Sequence, residues 1–248
     1  MWRRFANALM FLTVLRLPAA GEFTPVEAAR CYAFFPLVGF LLGAAALALA
    51  VLLRPVMPPL LLAVWVCACM TLLTRGFHLD GLADLADGVG GGYTPARRLE
   101  IMKDSATGAF GSLALVFAII FKVSAMQTLI TAQSWVPLAL IPALSRLAIV
   151  LTAYKNTYAR PEGGLGKAGV EHLDTGTVLV AGLSALGFTL LLAPRSAPVY
   201  VGAVILCALL ARFLAQRWLG GVTGDVLGAA NEVTEVILYT LCACLAYS

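Results

Sequence analysis

The chain has 248 residues, of which 61% are hydrophobic and 12% are charged, and its net charge is +4. Soluble domains carry roughly 25% charged residues. Together with a mean hydropathy of +0.92, this composition excludes a soluble globular protein and predicts one that crosses a membrane several times. The small positive charge does not indicate nucleic-acid binding, because membrane proteins carry excess lysine and arginine in their cytoplasmic loops.

The first apolar segment, residues 2–17, is too short to cross about 30 Å of hydrocarbon at about 1.5 Å per residue. We therefore expect a short N-terminal interfacial helix. A signal peptide is the alternative, since two arginines precede the apolar run. Arg16 interrupts that run, however, and residues 17–21 make a poor cleavage site.

Seven longer apolar segments follow, each with about 18 to 24 residues, which is the length that a membrane helix needs. Their hydrophobicity is continuous rather than alternating, so we expect helices and not the strands of a barrel. The predicted fold is an all-α, polytopic membrane helix bundle with about seven transmembrane helices, forming a single domain over residues 1–248. The predicted spans are residues 31–53, 60–79, 108–131, 135–153, 177–193, 199–218 and 226–247.

The basic residues predict the orientation of the bundle. With the segment around Asp80 in the cytoplasm, twelve of the 17 lysines and arginines lie on the cytoplasmic side and only two on the opposite side. This distribution follows the positive-inside rule. The other three, Lys122, Arg146 and Arg212, lie within spans, where charges are either functional or paired. Lys122 is too deep for direct catalysis and is expected to pair internally, whereas Arg146 is left open between a phosphate and an acidic partner.

Carboxylates are concentrated between residues 78 and 111, although the chain has only 13 acidic residues. On a helix, Asp80, Asp84 and Asp87 project from one face within about two turns. Three like charges on one face repel one another, so this arrangement predicts a bound cation. Mg²⁺ prefers such oxygen ligands, usually with phosphate completing its shell. Because an unpaired charge in hydrocarbon is costly, we expect this segment to be a polar loop in water or beside a cavity.

A second polar segment, residues 154–176, is predicted on the same side of the membrane. Its glycine-rich stretch, residues 163–166, permits close approach of the backbone to a ligand. Lys155, Arg160 and Lys167 supply positive charge suited to phosphate.

A third polar segment, residues 220–235, leads into the last helix. There Asp225, Glu232 and Glu235 lie close to one helical face, and Gly228 leaves that face open to a neighbour. Two acidic faces that meet across the bundle would hold a metal between them. The alternative is that Asp225 and Glu232 form an interhelical hydrogen-bonded pair without chemistry.

The six cysteines all lie in apolar runs. No CxxC pair or Cys/His spacing indicates a zinc site or a disulfide framework. They are expected to pack as small apolar side chains.

Four stretches carry a resemblance to a known family. They read HLDGLADLADG at 78–88, RLEIMKDSATGAFG at 98–111, GLG at 164–166 and GVTGDVLGAANEVTE at 221–235. Together they resemble the signature of the cobalamin synthase family, whose activity is adenosylcobinamide-GDP ribazoletransferase. The match spans most of the chain in the expected order, and the acidic motifs show no departure from the family pattern.

The resemblance implies a reaction in which α-ribazole, or its 5′-phosphate, attacks the diphosphate of adenosylcobinamide-GDP. GMP then leaves, and adenosylcobalamin or its 5′-phosphate is formed. The resemblance also implies an integral enzyme of the prokaryotic cytoplasmic membrane that uses Mg²⁺. Membrane lipid is then an expected partner, nucleic acid is not, and a homo-oligomer is left open.

The motifs and this reaction together suggest roles for the site residues. Acidic residues are expected to bind the metal, one carboxylate or His78 to take the proton of the ribose hydroxyl, and basic residues and glycines to contact the substrate. For His78 the alternative is an interfacial anchor, and for Lys103 a positive-inside anchor. The predicted metal ligands are Asp80, Asp84, Asp87, Asp225, Glu232 and Glu235; the catalytic candidates are Asp87, Asp104, Glu232 and His78; the substrate-binding candidates are Lys103, Gly108, Arg146, Arg160, Gly164, Gly166 and Lys167.

Two other functions fit part of the pattern. A CDP-alcohol-type membrane phosphotransferase also places aspartates and glycines at the cytoplasmic end of a span, but its pattern has Ala-Arg soon after the first Asp-Gly, whereas Ala83 is followed by Asp84 here. An ion-coupled secondary transporter typically has inverted repeats and acids near the bilayer midplane. The acids of this chain collect at one end instead.

Overall fold

The computed structural model describes residues 1–17 and 24–247, and these residues are mostly helical. A single isolated bridge between Tyr158 and Val222 is the β-structure found in them. The helices are α1 (Trp2–Leu12), α2 (Pro25–Arg30), α3 (Phe35–Leu53), α4 (Pro59–Leu73), α5 (Phe77–Gly91), α6 (Pro95–Ile101), α7 (Ala109–Thr131), α8 (Val136–Ala153), α9 (Lys167–His172), α10 (Thr175–Leu192), α11 (Ala197–Leu219) and α12 (Gly224–Tyr247), with a 3-10 turn, Cys31–Phe34, between α2 and α3.

Six segments of the described chain are long and apolar enough to cross a membrane. They are Pro25–Leu53, which joins α2 and α3, then α7, α8, α10 and α11, and finally Gly224–Ala246 of α12. The prediction of an all-α, polytopic membrane bundle is confirmed. Six of the seven predicted spans correspond to these segments.

The seventh predicted span, residues 60–79, is not one continuous helix. It is divided into α4 and α5, which meet at an angle of 89°. Arg75 and Gly76 both adopt left-handed backbone conformations, with φ of 56° and 64°, and their amides donate to carbonyl oxygens in the last turn of α4. This arrangement ends a helix and turns the chain. The hydropathy pattern does not reveal it, because apolar residues stand on both sides of the break.

The break places the acidic residues on a helix of their own. Asp80, Asp84 and Asp87 lie on α5 at the spacing that puts them on one face. The expectation of a polar loop is therefore corrected, whereas the helical spacing inferred for the three aspartates is confirmed. A short loop and α6 then connect α5 to α7.

Helix α8 lies at the centre of the bundle. Almost all of its side chains are buried, and it packs against α3, α10, α11 and α12. Helix α3 approaches it closely at Gly39 and Gly43, where a β-carbon would collide with the backbone at Pro142 and Ala139. Small residues let membrane helices come close, so the glycines of α3 set its contact with α8.

Four of the six cysteines are buried in the protein, as expected for small apolar side chains.

The predicted N-terminal helix is present as α1, although it ends at Leu12. Arg4 of α1 pairs with Glu27 of α2 at 3.0 Å, which holds α1 beside the start of the first span. Residues 18–23, which include most of the segment considered as a cleavage site, lie outside the described residues. The interfacial location of α1 stays a prediction.

The polar segments meet at one end of the bundle. The amide of Ala159 donates to Val222 at 2.9 Å, and the amide of Val222 donates to Thr157 at 2.8 Å, so the second and third segments are joined. Arg160 of the second segment donates to the carbonyl oxygen of Met102, which follows α6, at 3.2 Å. The three segments singled out in the sequence are therefore neighbours in the fold.

Candidate functional site

Helix α5 presents two carboxylates that have no partner within the described residues. Asp80 is exposed, and Asp84, one turn later, is half-buried. Neither forms a hydrogen bond or an ion pair with the part of the chain that the structure describes. Asp84 also lies within electrostatic range of the carboxylates of Asp80, Asp87 and Asp225, and of the guanidinium of Arg160, which pairs with Asp225. The carboxylates outnumber this one cation, so the face is suited to binding a further cation.

Asp87, the third aspartate of α5, is used by the fold. Its Oδ2 accepts a hydrogen bond from the amide of Gly108 at 2.7 Å, and its Oδ1 accepts one from the amide of Gly111 at 2.8 Å. Helix α7 begins at Ala109 without a capping side chain of its own, and the first amides of a helix need an acceptor. Asp87 therefore caps α7 from a neighbouring helix. Gly108, a predicted substrate contact, contributes its amide to this cap.

Asp225 lies in the first turn of α12, at a close contact with α5. A β-carbon on Gly81 would lie 2.9 Å from the Cα of Asp225, so the two helices touch here. The carboxylate of Asp225 accepts hydrogen bonds from Arg160 at 2.6 Å and from the hydroxyl of Thr223 at 3.3 Å. The two acidic helices thus meet at this point, and Arg160 attaches the second polar segment to their contact.

An open cavity of about 820 Å³ lies beside Asp80, at the break between α4 and α5. Its volume is in the range of pockets that hold organic ligands. The wall is partly apolar and includes residues of α1 and α7 as well as Leu165 of the second segment. The polar lining residues are Thr71, Arg75, Asp80 and Thr107.

Glu232 and Glu235 lie deeper in α12, where they pair with cations inside the bundle. Lys122 of α7 donates to Glu232 at 2.6 Å and to Glu235 at 3.1 Å, and Arg146 of α8 pairs with Glu235. The hydroxyl of Ser145 donates to Glu235 at 3.2 Å. The four charged side chains are at most 9% exposed. Two negative charges face two positive ones, so the cluster is neutral, as a low-dielectric site requires.

This ionic cluster accounts for the charges predicted within the spans. The expectation that Lys122 pairs internally is confirmed, and Arg146 has an acidic partner. The structure does not bring Glu232 and Glu235 together with Asp225: within the described residues no group of three or more His, Cys, Asp or Glu side chains is placed to hold a metal ion. Their predicted roles in metal binding and catalysis, and that of Arg146 in substrate binding, stay predictions.

His78 is only 3% exposed and lies where α5 packs against α12. A β-carbon on Gly228 would lie 3.2 Å from its Cα. Neither ring nitrogen has a hydrogen-bond partner among the residues described. The ring lines a small cavity with Tyr32 and Gly166, separate from the cavity beside Asp80. Its burial argues against the interfacial anchor, and its predicted role as a base stays a prediction.

Lys103, Arg160 and Lys167, three of the basic residues predicted to contact the substrate, each have an acidic partner here. Hydrogen bonding to Lys103 also lowers the pKa of the exposed Glu162 carboxyl. A phosphate that bound one of these cations would therefore compete with a carboxylate. The pairs are Lys103 with Glu162, Arg160 with Asp225, and Lys167 with Glu171.

The predicted glycine-rich stretch packs against the protein itself. A β-carbon on Gly164 would collide with the hydroxyl of Tyr158, and one on Gly166 would lie 3.2 Å from the Cα of Gly224. Gly163 has a φ of +95°, which favours glycine. Leu165 between them is 73% exposed and reaches the cavity beside Asp80.

Asp104 differs from the other candidates for the general base. It is exposed, and within the described residues its carboxylate accepts one hydrogen bond, from the amide of Ala106 at 3.0 Å. Asp87 and Glu232, by contrast, each make short polar contacts with the protein. Asp104 is also three residues before Thr107, which lines the cavity.

Sequence reasoning missed three polar residues of the cavity, Thr71, Arg75 and Thr107. Thr107 stands next to Gly108 inside one of the motifs, and that position is the signal that points to it. Arg75 was read as part of the positive-inside distribution. Its cavity position depends on the break between α4 and α5, which hydropathy does not show.

The oxygen donors on α5 fit a magnesium ion. Mg²⁺ is usually held by one or two carboxylates, with substrate phosphates and water completing its shell, rather than by a cage of protein ligands. Asp80, which lines the cavity, and Asp84, one turn further along α5, provide two such carboxylates.

Comparison with known proteins gives nearly full-length matches. A protein of Syntrophobacter fumaroxidans called adenosylcobinamide-GDP ribazoletransferase is 52% identical, with 99% of this chain and 100% of the relative covered. Proteins of the same name from Chlorobaculum tepidum and Ralstonia pickettii are 40% and 36% identical, covering 93% and 96% of this chain and 92% and 93% of the relatives. No solved structure matches the chain.

A family model described as cobalamin-5-phosphate synthase matches residues 4–243. That range includes the acidic helix α5, the second polar segment and most of α12. The resemblance inferred from the four motifs is therefore confirmed. The chain belongs to the cobalamin-5-phosphate synthase family.

Proposed function

We propose that this protein joins α-ribazole, or its 5′-phosphate, to adenosylcobinamide-GDP, with release of GMP, and that the reaction depends on Mg²⁺. The observation that carries the proposal is the 52% identity, over 99% of the chain, to a relative named adenosylcobinamide-GDP ribazoletransferase. The carboxylate of Asp80, which lines an open cavity, and that of Asp84 one turn later support the magnesium requirement.

Asp80 and Asp84 would hold the magnesium ion. When bound, the ion supplies positive charge that neutralises the diphosphate and favours departure of GMP. The role of the two aspartates would be to set the position of that ion, since carboxylates by themselves repel phosphate. Asp87 supports them indirectly, because its bonds to the amides of Gly108 and Gly111 hold α5 against the start of α7.

The cavity would contain the reacting groups. Its apolar wall, which includes Phe77, Leu115 and Ile119, would pack against apolar parts of the substrate. Asp104 is the candidate base with an accessible carboxylate, and it would accept the proton of the attacking ribose hydroxyl. Attack forms a new oxygen–phosphorus bond, the bond to the GMP phosphate breaks, and GMP carries away the electron pair.

The protein is proposed to lie in the cytoplasmic membrane of a prokaryote, with the cavity facing the cytoplasm. The positive-inside distribution supports this orientation. Labelling in intact cells with a membrane-impermeant maleimide would test it: a cysteine at Thr107 should be protected until the cells are opened, and one at Arg195 should react at once. The opposite pattern would reverse the topology.

The direct test is release of GMP by the purified protein reconstituted in lipid vesicles. Adenosylcobinamide-GDP and α-ribazole are supplied with magnesium, and with a chelator in its place. We expect GMP and cobamide in equal amounts, and only when the metal is present. Folded protein that forms no product would contradict the proposed reaction, and equal product with the chelator would contradict the magnesium requirement.

A further inference from the structure

Arg75 occupies a backbone position that normally belongs to glycine. At the end of α4, its amide donates to Leu72 at 3.1 Å and the amide of Gly76 donates to Thr71 at 2.8 Å. These are the two bonds of a Schellman motif, in which the residue at the position of Arg75 is left-handed and most often glycine. Arg75 has a φ of 56°, which a side chain disfavours. Strained backbone positions of this kind cluster at functional sites.

Gln133 shows that strain alone does not identify a functional residue. It ends α7 in the same motif, with its amide donating to Ile130 at 3.2 Å and a φ of 55°. Both residues are exposed, but Gln133 does not line the cavity beside Asp80. Arg75 lines that cavity. The two residues therefore share a backbone conformation and differ in their surroundings.

Arg75 is also a cation that is available to a ligand in the cavity beside Asp80. It is the one positively charged residue among the described residues that line the cavity. Its guanidinium makes no hydrogen bond or ion pair with any residue that the structure describes. Lys103, Arg160 and Lys167, in contrast, each have a carboxylate partner.

We propose that Arg75 binds the diphosphate of adenosylcobinamide-GDP in this cavity. A guanidinium can donate two parallel hydrogen bonds to phosphoryl oxygens, and it stays charged at any working pH. It would hold the negative charge of the departing GMP beside Asp80, the proposed metal ligand. The inference rests on the proposed use of this cavity by the diphosphate.

The test compares Arg75→Gly and Arg75→Lys with Gln133→Gly as the matched control. Arg75→Gly removes the guanidinium and relieves the backbone strain, so we expect the KM for adenosylcobinamide-GDP to rise roughly 10- to 100-fold. The KM for α-ribazole should not change, and the midpoint of thermal unfolding should stay the same or rise. Arg75→Lys keeps the charge and should recover part of the affinity. Gln133→Gly should show the same thermal effect with unchanged kinetics.

Three results would overturn the inference: an unchanged KM for adenosylcobinamide-GDP in Arg75→Gly, equal rises for both substrates, or a rise confined to α-ribazole 5′-phosphate. Asp80→Asn, measured in parallel, separates this inference from the proposed site. If Asp80→Asn loses turnover while Arg75→Gly is normal, only the role of Arg75 fails. If both variants are normal, the cavity is not the site of the reaction.

Discussion

The acidic face of α5 and the ionic cluster inside the bundle use the same side-chain chemistry for different ends. In both, carboxylates stand three or four residues apart on one helical face. Asp80 and Asp84 form no ion pair with the described residues, whereas Glu232 and Glu235 share Lys122 and Arg146. Spacing on a helix therefore identifies a charged face, and the neighbouring helices decide whether that face is available to a ligand.

The two regions also differ in what they require of the fold. The cluster joins α7, α8 and α12 and is neutral only when all three helices are in place. Removing one partner of a buried pair leaves an uncompensated charge, which is far more costly than the pair itself. A charge can be removed from Asp80 or Asp84 without leaving an opposite charge unpaired. We therefore expect substitutions in the cluster to affect folding and those on α5 to affect chemistry.

Glu235→Gln should have the largest effect on stability. It removes the carboxylate that faces both Lys122 and Arg146, and breaking a buried pair costs about 3–5 kcal/mol. The free energy of unfolding in detergent or lipid measures the loss. Adding Lys122→Met should recover part of it, because the double variant again balances the charge of the cluster. A single variant as stable as the wild type would show that the cluster is not structural.

Asp80→Asn and Asp84→Asn should give the opposite result. Each is expected to lower turnover at least a hundredfold, which corresponds to about 2.7 kcal/mol of transition-state stabilisation. Thermal stability should be unchanged or higher, because each substitution removes repulsion between like charges. Turnover assays and thermal unfolding on the same preparations measure both effects. Near-normal turnover in either variant would contradict a role for that aspartate in metal binding.

Asp87→Asn should combine a smaller loss of stability with a loss of turnover. An asparagine amide offers one acceptor where the carboxylate offers two, so one amide of the α7 cap loses its partner. Loss of a helix cap costs about 0.5–2 kcal/mol. The unfolding free energy should fall relative to that of Asp84→Asn, which lies one turn earlier and caps nothing in the described residues. Equal stability of the two variants would contradict the capping role.

Lys103→Gln should have the smallest effect. Its pair with Glu162 is exposed, and such pairs contribute little to stability. We expect no measurable change in the unfolding midpoint and at most a small rise in the KM for adenosylcobinamide-GDP. A tenfold rise would show that Lys103 leaves Glu162 to contact the substrate.

Most of the fold could be predicted from the sequence, because the apolar runs that indicate membrane helices are local features. A continuous apolar run of sufficient length predicts a membrane helix without knowledge of its neighbours, and six such runs became spans. The break after Leu73 was missed because it depends on two backbone dihedrals, at Arg75 and Gly76, rather than on composition.

The candidate site could be predicted only in part, because residues distant in the chain determine which of its carboxylates are paired. Nothing in the spacing of Glu232 and Glu235 indicates that Lys122, more than a hundred residues earlier, lies against them. The role of Asp87 had a weak signal: α7 begins after Gly108 with no capping side chain, so an acceptor from elsewhere was needed.

The neutral cluster has a consequence for the biogenesis of the protein. Before the bundle assembles, α12 carries two glutamates in its apolar stretch, while α7 and α8 carry one cation each. A charge at the centre of a single inserting helix disfavours its entry into the bilayer by roughly 2.5–3.5 kcal/mol. Helix α12 is made after α7 and α8, so its glutamates find their partners as it emerges. Its stable insertion should therefore depend on the helices that precede it, and α12 expressed alone should insert poorly.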